Sequence, residues 1–249
     1  MSGAPDVDGE LPFLAHLIEL RERLLRAVVA VGVLFLAGIP FANRIYALLA
    51  QPLLAKMPAG TQMIAIEVAS PFLTPLKLTF FLALILAMPY VLYQAWSFVA
   101  PGLYRHEKRL AVPLLVSAVA LFYTGCAFAY FLVLPAVFGF LQAVAPSGVA
   151  VMTDISQYLD FVLVLFLAFG LCFEVPVAVV ILVLLGWVTP PQLRESRPYV
   201  IVGAFVIAAV LTPPDIVSQL LLAIPMCVLY EIGILAARWL PARHEATET

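Results

Sequence analysis

The chain has 249 residues, 64% hydrophobic and 11% charged, with a mean hydropathy of +1.09 and a formal net charge of −2. Soluble domains carry about 25% charged and about 45–50% apolar residues, so a water-soluble globular fold is excluded and an integral membrane protein is implied. No basic tail or basic face is present to attract nucleic acid.

The chain opens on MSGAPDVDGE, which is acidic and polar and unlike a secretory n-region. HLIELRERLLR (16–26) reads as an amphipathic helix, with Leu14, Leu17, Ile18, Leu24 and Leu25 on its apolar side. Glu19 and Arg23, and Glu22 and Arg26, are four apart in the order that favours ion pairs. This helix runs into the first of six predicted spans, taken as retained: 24–42, 72–97, 110–138, 156–186, 199–212 and 216–237. Crossing a hydrocarbon core of about 30 Å takes about 20 apolar residues in a helix, so the expected fold is all-α.

The connections differ in character. Residues 43–71 form a long loop, and its stretch NRIYALLAQPLLAKMP is expected to be a short surface helix. Asp154 and Gln157 have the spacing of a capping box at the start of span four. Span four covers 31 positions, and Pro176 is expected to kink it. Span five has only 14 residues between Pro198 and Pro213. That is about 21 Å at 1.5 Å per residue, so the bilayer must thin there or be replaced by protein. TPPD (212–215) is a tight turn in which Asp215 is placed to cap the sixth helix.

Orientation follows from the distribution of Lys and Arg. Ten lie on the side of the termini and three on the other (Arg44, Lys56 and Lys77), which predicts both termini in the cytoplasm. LYRHEKR (103–109) belongs to the cytoplasmic side, with Glu107 as a lone acid among Arg105, His106, Lys108 and Arg109. Its bases are topology anchors, and its acid is left unexplained by topology.

Few residues can carry chemistry. Glu174, in LCFEVPV, is an acid deep in span four, where insertion costs on the order of 2.5–3.5 kcal/mol. It either lines a wet cavity or partner contact, or stabilises the kink before Pro176. Glu231, near the end of span six, is shallow enough to reach headgroups. Thr212 and Gln219 give the last two spans a small polar patch suited to packing or partner docking. Cys126, Cys172 and Cys227 are widely separated and read as small buried hydrophobes, with no metal spacing. No nucleophile elbow, HExxH or P-loop is present. From the residues alone, a proton-coupled transporter working through Glu174, a translocon or receptor, and a scaffold all remain open. The spans show no repeated halves, which weighs against the transporter.

Several stretches together resemble one family. HLIELRERLL, ASPF (69–72), FVAPGLYRHEKR (98–109), DISQYLDF (154–161), FEVPV (173–177) and AFVIAAVLTPPDIVSQLLLAIPMCVLYEIG (204–233) are similar in order and spacing to TatC, over about residues 11–240. TatC is the multispanning core of the twin-arginine protein translocase. The resemblance implies a cup-like bundle of six transmembrane helices, the last two short, in the bacterial cytoplasmic (inner) membrane, without catalytic turnover, cofactor or metal. It implies a receptor for the Arg-Arg signal peptides of folded proteins, which organises the single-span partners TatA and TatB, self-associates, and works in export driven by the proton-motive force. Signal-peptide recognition would fall on Glu19 and Glu107, with Arg21 in the same patch and Phe98 opening the matching loop motif. Pro52 would be the important position of the external loop. Glu174 would be the intramembrane acid, and Thr212 with Gln219 the patch where partner helices bind. A guanidinium presents a planar fork that a carboxylate can accept in bidentate fashion, which lysine cannot match, so two separated acids would suit an arginine pair.

Overall fold

The computed structural model of the chain describes residues 10–54, 64–99, 111–144, 154–211 and 216–239. Ten α-helices are found among them: α1 Glu10–Gly38, α2 Ala42–Leu54, α3 Ser70–Val99, α4 Ala111–Phe128, α5 Leu134–Val144, α6 Ile155–Cys172, α7 Val175–Leu184, α8 Pro190–Glu195, α9 Arg197–Leu211 and α10 Ile216–Arg238. Among the described residues, five stretches are long and apolar enough to cross a membrane: His16–Leu48, Ser70–Val99, Ala111–Phe140, Ile155–Leu184 and Gln219–Arg238. Arg197–Leu211 is a shorter apolar helix of 15 residues. The protein is therefore all-α, with five to six apolar helices. These elements form two compact units: α1 to α3 make the first, and Ile64 with α4 to α10 the second.

In the first unit, the amphipathic stretch and the first apolar run are one uninterrupted helix, α1. It ends at Gly38, where Pro40 lacks the N–H needed to continue the ladder, and a 3-10 turn, Ile39–Phe41, leads into α2. Helix α3 returns antiparallel to α1. At one end of the pair His16 meets Phe98, and toward the other Phe35 meets Phe80 edge-on with ring centroids 5.7 Å apart. Near that second end a Cβ on Gly38 would lie 2.7 Å from the Thr79 methyl, so only glycine lets the two helices approach so closely. The Thr79 hydroxyl donates to the Pro75 carbonyl at 2.7 Å, which fixes the side chain in that position.

In the second unit α10 packs against α7 and α9, and α4 and α6 cross closely at one point. A Cβ on Gly125 would come within 2.5 Å of the Phe169 carbonyl oxygen, and one on Gly170 within 2.5 Å of the Phe122 ring. Each helix thus supplies a glycine to the other's phenylalanine, and both Phe122 and Phe169 are almost fully buried. Helix α4 passes into α5 through a five-residue π segment, Ala129–Val133. Pro135 follows directly, and the wider turn lets the helix run on past a residue with no N–H to give. Helicity continues to Val144, beyond the predicted end of span three at 138.

Asp154 caps α6 by accepting from the Ser156 N–H at 3.1 Å. The expected capping box is only half formed, because no reciprocal bond from Gln157 is among the described hydrogen bonds. The cap is held by the neighbouring backbone instead, since the Ile155 N–H donates to the Ile64 carbonyl at 3.0 Å. Span four, predicted as one kinked helix, is two helices separated by a turn at Phe173–Glu174. Pro176 sits in the first turn of α7, where its missing donor costs nothing. Helix α8 starts with a side-chain cap in which the Thr189 N–H donates to Gln192 Oε1 at 2.9 Å.

Candidate functional site

The predicted site residues fall into two groups, one in each unit. In the first, Glu19 lies one turn after His16 on α1 and is bound by Arg23, whose Nε and Nη2 donate to Glu19 Oε1 at 2.9 and 2.5 Å. Glu22 and Arg26 make the second expected pair, looser at 3.3 Å. Phe98, near the end of α3, stacks on the His16 ring at 4.1 Å between centroids. The structure thus brings Phe98 from the far end of α3 to the turn of α1 that carries Glu19. Sequence reading missed His16 as the residue that makes this contact, although HLIELR and FVAPG were both singled out. Arg21 is exposed on α1. Pro52 lies in the last turn of α2. Glu107 and the rest of LYRHEKR lie outside the described residues.

Energetics make Glu19 an adaptable acceptor. An i, i+4 ion pair on a helix, such as the part-buried Glu19–Arg23 pair, stabilises by only about 0.3–0.5 kcal/mol. Hydrogen bonds to charged groups typically contribute about 1.5–3 kcal/mol. A better-placed guanidinium can therefore replace Arg23 at small cost, and both described bonds fall on one of the two carboxylate oxygens.

In the second unit Glu174 occupies the turn between α6 and α7. Its backbone is tied on both sides: its N–H donates to the Leu171 carbonyl at 3.0 Å, and its carbonyl accepts from the Ala178 N–H at 2.9 Å. The side chain makes no capping bond, since Pro176 removes one of the N–H groups it could have reached. Its Oε1 is buried and has no hydrogen-bond partner among the described residues. The turn is braced by α10, where a Cβ on Gly233 would lie 3.0 Å from Pro176 Cα and 3.1 Å from Val179 Cβ. Glycine at 233 therefore sets how closely α10 approaches the start of α7.

Gln219 reaches across the α9–α10 hairpin, donating from Nε2 to the Phe205 carbonyl at 3.2 Å. Its amide is thus engaged within the hairpin. Thr212 and Asp215 lie outside the described residues. Glu231, expected to reach toward headgroups, is instead held by Arg197 of α9, whose Nη2 lies 2.6 Å from Glu231 Oε2. The partners are 34 positions apart, so no local spacing in the sequence could announce the pair. Cys126 and Cys172 are buried, Cys227 is partly so, and all three are free thiols. No cluster of His, Cys, Asp and Glu suited to a metal occurs among the described residues.

Long apolar helices define a multi-pass membrane protein. The model of the family described as "Sec-independent protein translocase protein (TatC)" matches residues 15–225. The chain is 58% identical over 245 residues to the Sec-independent protein translocase protein TatC of Azotobacter chroococcum mcd 1, covering 98% of this chain and 96% of that one. It is also 58% identical over 233 residues to the protein of that name from Escherichia coli K12, covering 94% and 90%. A crystal structure described as the twin-arginine translocase receptor TatC superposes with a TM-score of 0.80 at 38% identity, over 90% of this chain and 98% of the other. The chain belongs to the TatC family, a family of protein translocase subunits rather than enzymes.

Proposed function

We propose that this chain is the core receptor subunit of a twin-arginine translocase in the bacterial inner membrane. It binds the Arg-Arg signal peptides of folded precursor proteins at its cytoplasmic face. It also organises TatA and TatB, and further copies of itself, for export driven by the proton-motive force. The single observation that best supports the reading is the His16–Phe98 stack. It places Phe98 of the FVAPG stretch against the turn of α1 whose Glu19 already accepts a guanidinium. Glu19 and Glu107 are proposed to take one arginine each, with Arg21 in the same patch. The topology proposed with it has six spans in a single membrane domain and both termini in the cytoplasm.

Glu174, Thr212 and Gln219 are proposed as the polar positions at which partner helices engage, and Pro52 as the important position of the external loop. The buried Glu174 Oε1, without a hydrogen-bond partner among the described residues, supports the first of these, because a carboxylate oxygen in hydrocarbon is stabilised by a donor from an incoming helix.

Crosslinking in membranes tests the reading, with a photoreactive group beside the arginine pair of a model signal peptide. Arg-Arg peptides are compared with Lys-Lys peptides, on wild type and on a Glu19→Gln/Glu107→Gln variant. Adducts near residues 16–26 and 98–109 that vanish with Lys-Lys and with the double variant are expected. Adducts indifferent to both changes would assign recognition to the apolar spans and remove the two acids from the site.

A further inference from the structure

The α9–α10 hairpin carries a feature that the receptor reading does not use. Away from residues 212–215, a groove of about 410 Å³ opens between the two helices. Its walls are Val200 and Ile201 of α9 and Val228, Ile232 and Leu235 of α10, and the last two and Val228 are exposed, as is Ile201. One part of the lining is polar. Arg197 is anchored there through Nη2 to Glu231, while its Nε is buried and has no hydrogen-bond partner among the described residues.

Other side chains mark the same end of the unit. Leu193, Tyr230, Ile234 and Ala237 pack together with Val188 and Val200. The Tyr230 hydroxyl also donates to the Leu193 carbonyl at 2.8 Å. These contacts gather the end of α8, the start of α9 and the end of α10. Arg194 and Arg238, both exposed, therefore stand at the same end as Arg197, as do the exposed rings of Trp187, Tyr199 and Trp239. Tryptophan and tyrosine at helix ends mark the headgroup layer, and basic pockets between spanning helices take anionic headgroups.

We infer that this groove binds one anionic phospholipid, its phosphate on Arg197 and an acyl chain along Val200, Ile201, Val228 and Leu235. The phosphate meets the exposed part of the Arg197 guanidinium, whose side chain is 40% exposed, through a charge-assisted hydrogen bond. Glu231 and Arg197 offset each other's charge, and the exposed Arg194 and Arg238 at the same end supply the positive charge that an anionic headgroup meets. A membrane-spanning helix fits less well. From Val228 to Leu235 the groove runs only about 10 Å at 1.5 Å per residue, against the about 30 Å that a spanning helix covers.

The test uses the purified full chain in neutral detergent with added phosphatidylglycerol or phosphatidylcholine of matched chain length. Native mass spectrometry reads the retained lipid and thermal unfolding reads stabilisation. Phosphatidylglycerol is expected to be retained about tenfold over phosphatidylcholine, a difference of about 1.4 kcal/mol, and to be the one that raises Tm. Arg197→Gln should reduce that preference to below about twofold. Glu231→Gln breaks the same ion pair but keeps the guanidinium, so it should preserve or strengthen the preference and separates charge loss from a folding defect. Val228→Trp fills the groove without touching a charge and should lower phosphatidylglycerol retention. Equal retention of the two lipids by wild type overturns the inference, as does a preference that survives both Arg197→Gln and Val228→Trp. So does a photoreactive side chain at position 228 that captures a protein helix in membranes instead of lipid.

Discussion

Helix α1 buries Ala27 and Val31 while exposing Leu24, Val28, Val29, Val33 and Leu36; helix α6 buries Leu159, Val162, Leu163, Leu165, Phe169 and Cys172. The first unit rests on the antiparallel α1–α3 pair with α2 packed on α3, and its charged groups stand on an amphipathic extension held by i, i+4 ion pairs, one part-buried and one exposed. In the second, α4 and α6 cross so closely that a backbone carbonyl fills the space where a side chain would stand. Weak and exchangeable contacts suit the part proposed to accept varied peptides. Close packing suits the part that must hold Glu174 in a fixed turn against the cost of its burial. The two units therefore differ in how they should answer to substitution.

The largest effect is expected where packing is tightest. Gly125→Ala puts a methyl 2.5 Å from the Phe169 carbonyl oxygen, which belongs to a helix backbone and cannot swing away. Overpacking of this kind typically destabilises by about 1–3 kcal/mol. Gly32→Ala, with nothing within 4 Å, is the matched change in the first unit and should be neutral or stabilising by up to about 1 kcal/mol. Thermal unfolding of the two variants in detergent checks the contrast. Equal melting temperatures would mean the crossing of α4 and α6 is looser than described.

Next in size is Glu19→Gln, which keeps the shape of the side chain and removes its charge. Loss of one charge-assisted interaction should weaken Arg-Arg peptide binding by about 1.5–3 kcal/mol, that is by one to two factors of about ten. Folding should be little affected, because the local i, i+4 pair it breaks with Arg23 contributes little to stability. Peptide titration against the purified protein reads the first quantity and thermal unfolding the second. A variant that loses stability but not peptide affinity would make Glu19 a structural residue.

Smaller again is Gln219→Leu. It removes the donor to the Phe205 carbonyl, an interhelical bond of a kind that contributes about 0.6 kcal/mol on average within membranes. A slight fall in Tm is expected from that loss. Export should fall further than stability does if Gln219 also meets a partner helix, and the ratio of the two effects separates packing from docking.

Much of this was legible in the chain itself. Apolar run length located the long helices, i, i+4 spacing announced the Glu19–Arg23 and Glu22–Arg26 pairs, and Pro176 marked the break in span four. Asp154 was readable as a cap because the N-cap requirement is local. The closest contacts were not readable, since nothing about Gly125, Gly170 or Gly233 in isolation says which neighbour will press against it. Arg197 with Glu231, and His16 with Phe98, were hidden for the same reason: tertiary packing pairs residues that no short-range period connects. The groove between α9 and α10 was invisible because aliphatic residues there looked like any other lipid-facing run.

The finest test concerns Arg23, which at rest occupies the acceptor that an incoming arginine needs. In Arg23→Gln the Glu19 carboxylate is freed of a partner whose attraction is about 0.3–0.5 kcal/mol. Arg-Arg peptide should then bind up to about twofold more tightly, with no gain for a Lys-Lys peptide. The same change in Arg26, whose contact with Glu22 is already loose at 3.3 Å, should leave peptide affinity where it is. Competition titrations of the two variants at low and physiological salt measure the difference, which should shrink as ionic strength rises and screens the part-buried pair. Weaker binding in Arg23→Gln would mean that Arg23 holds Glu19 in its receptive rotamer, and that the ion pair is part of the receptor rather than its occupant.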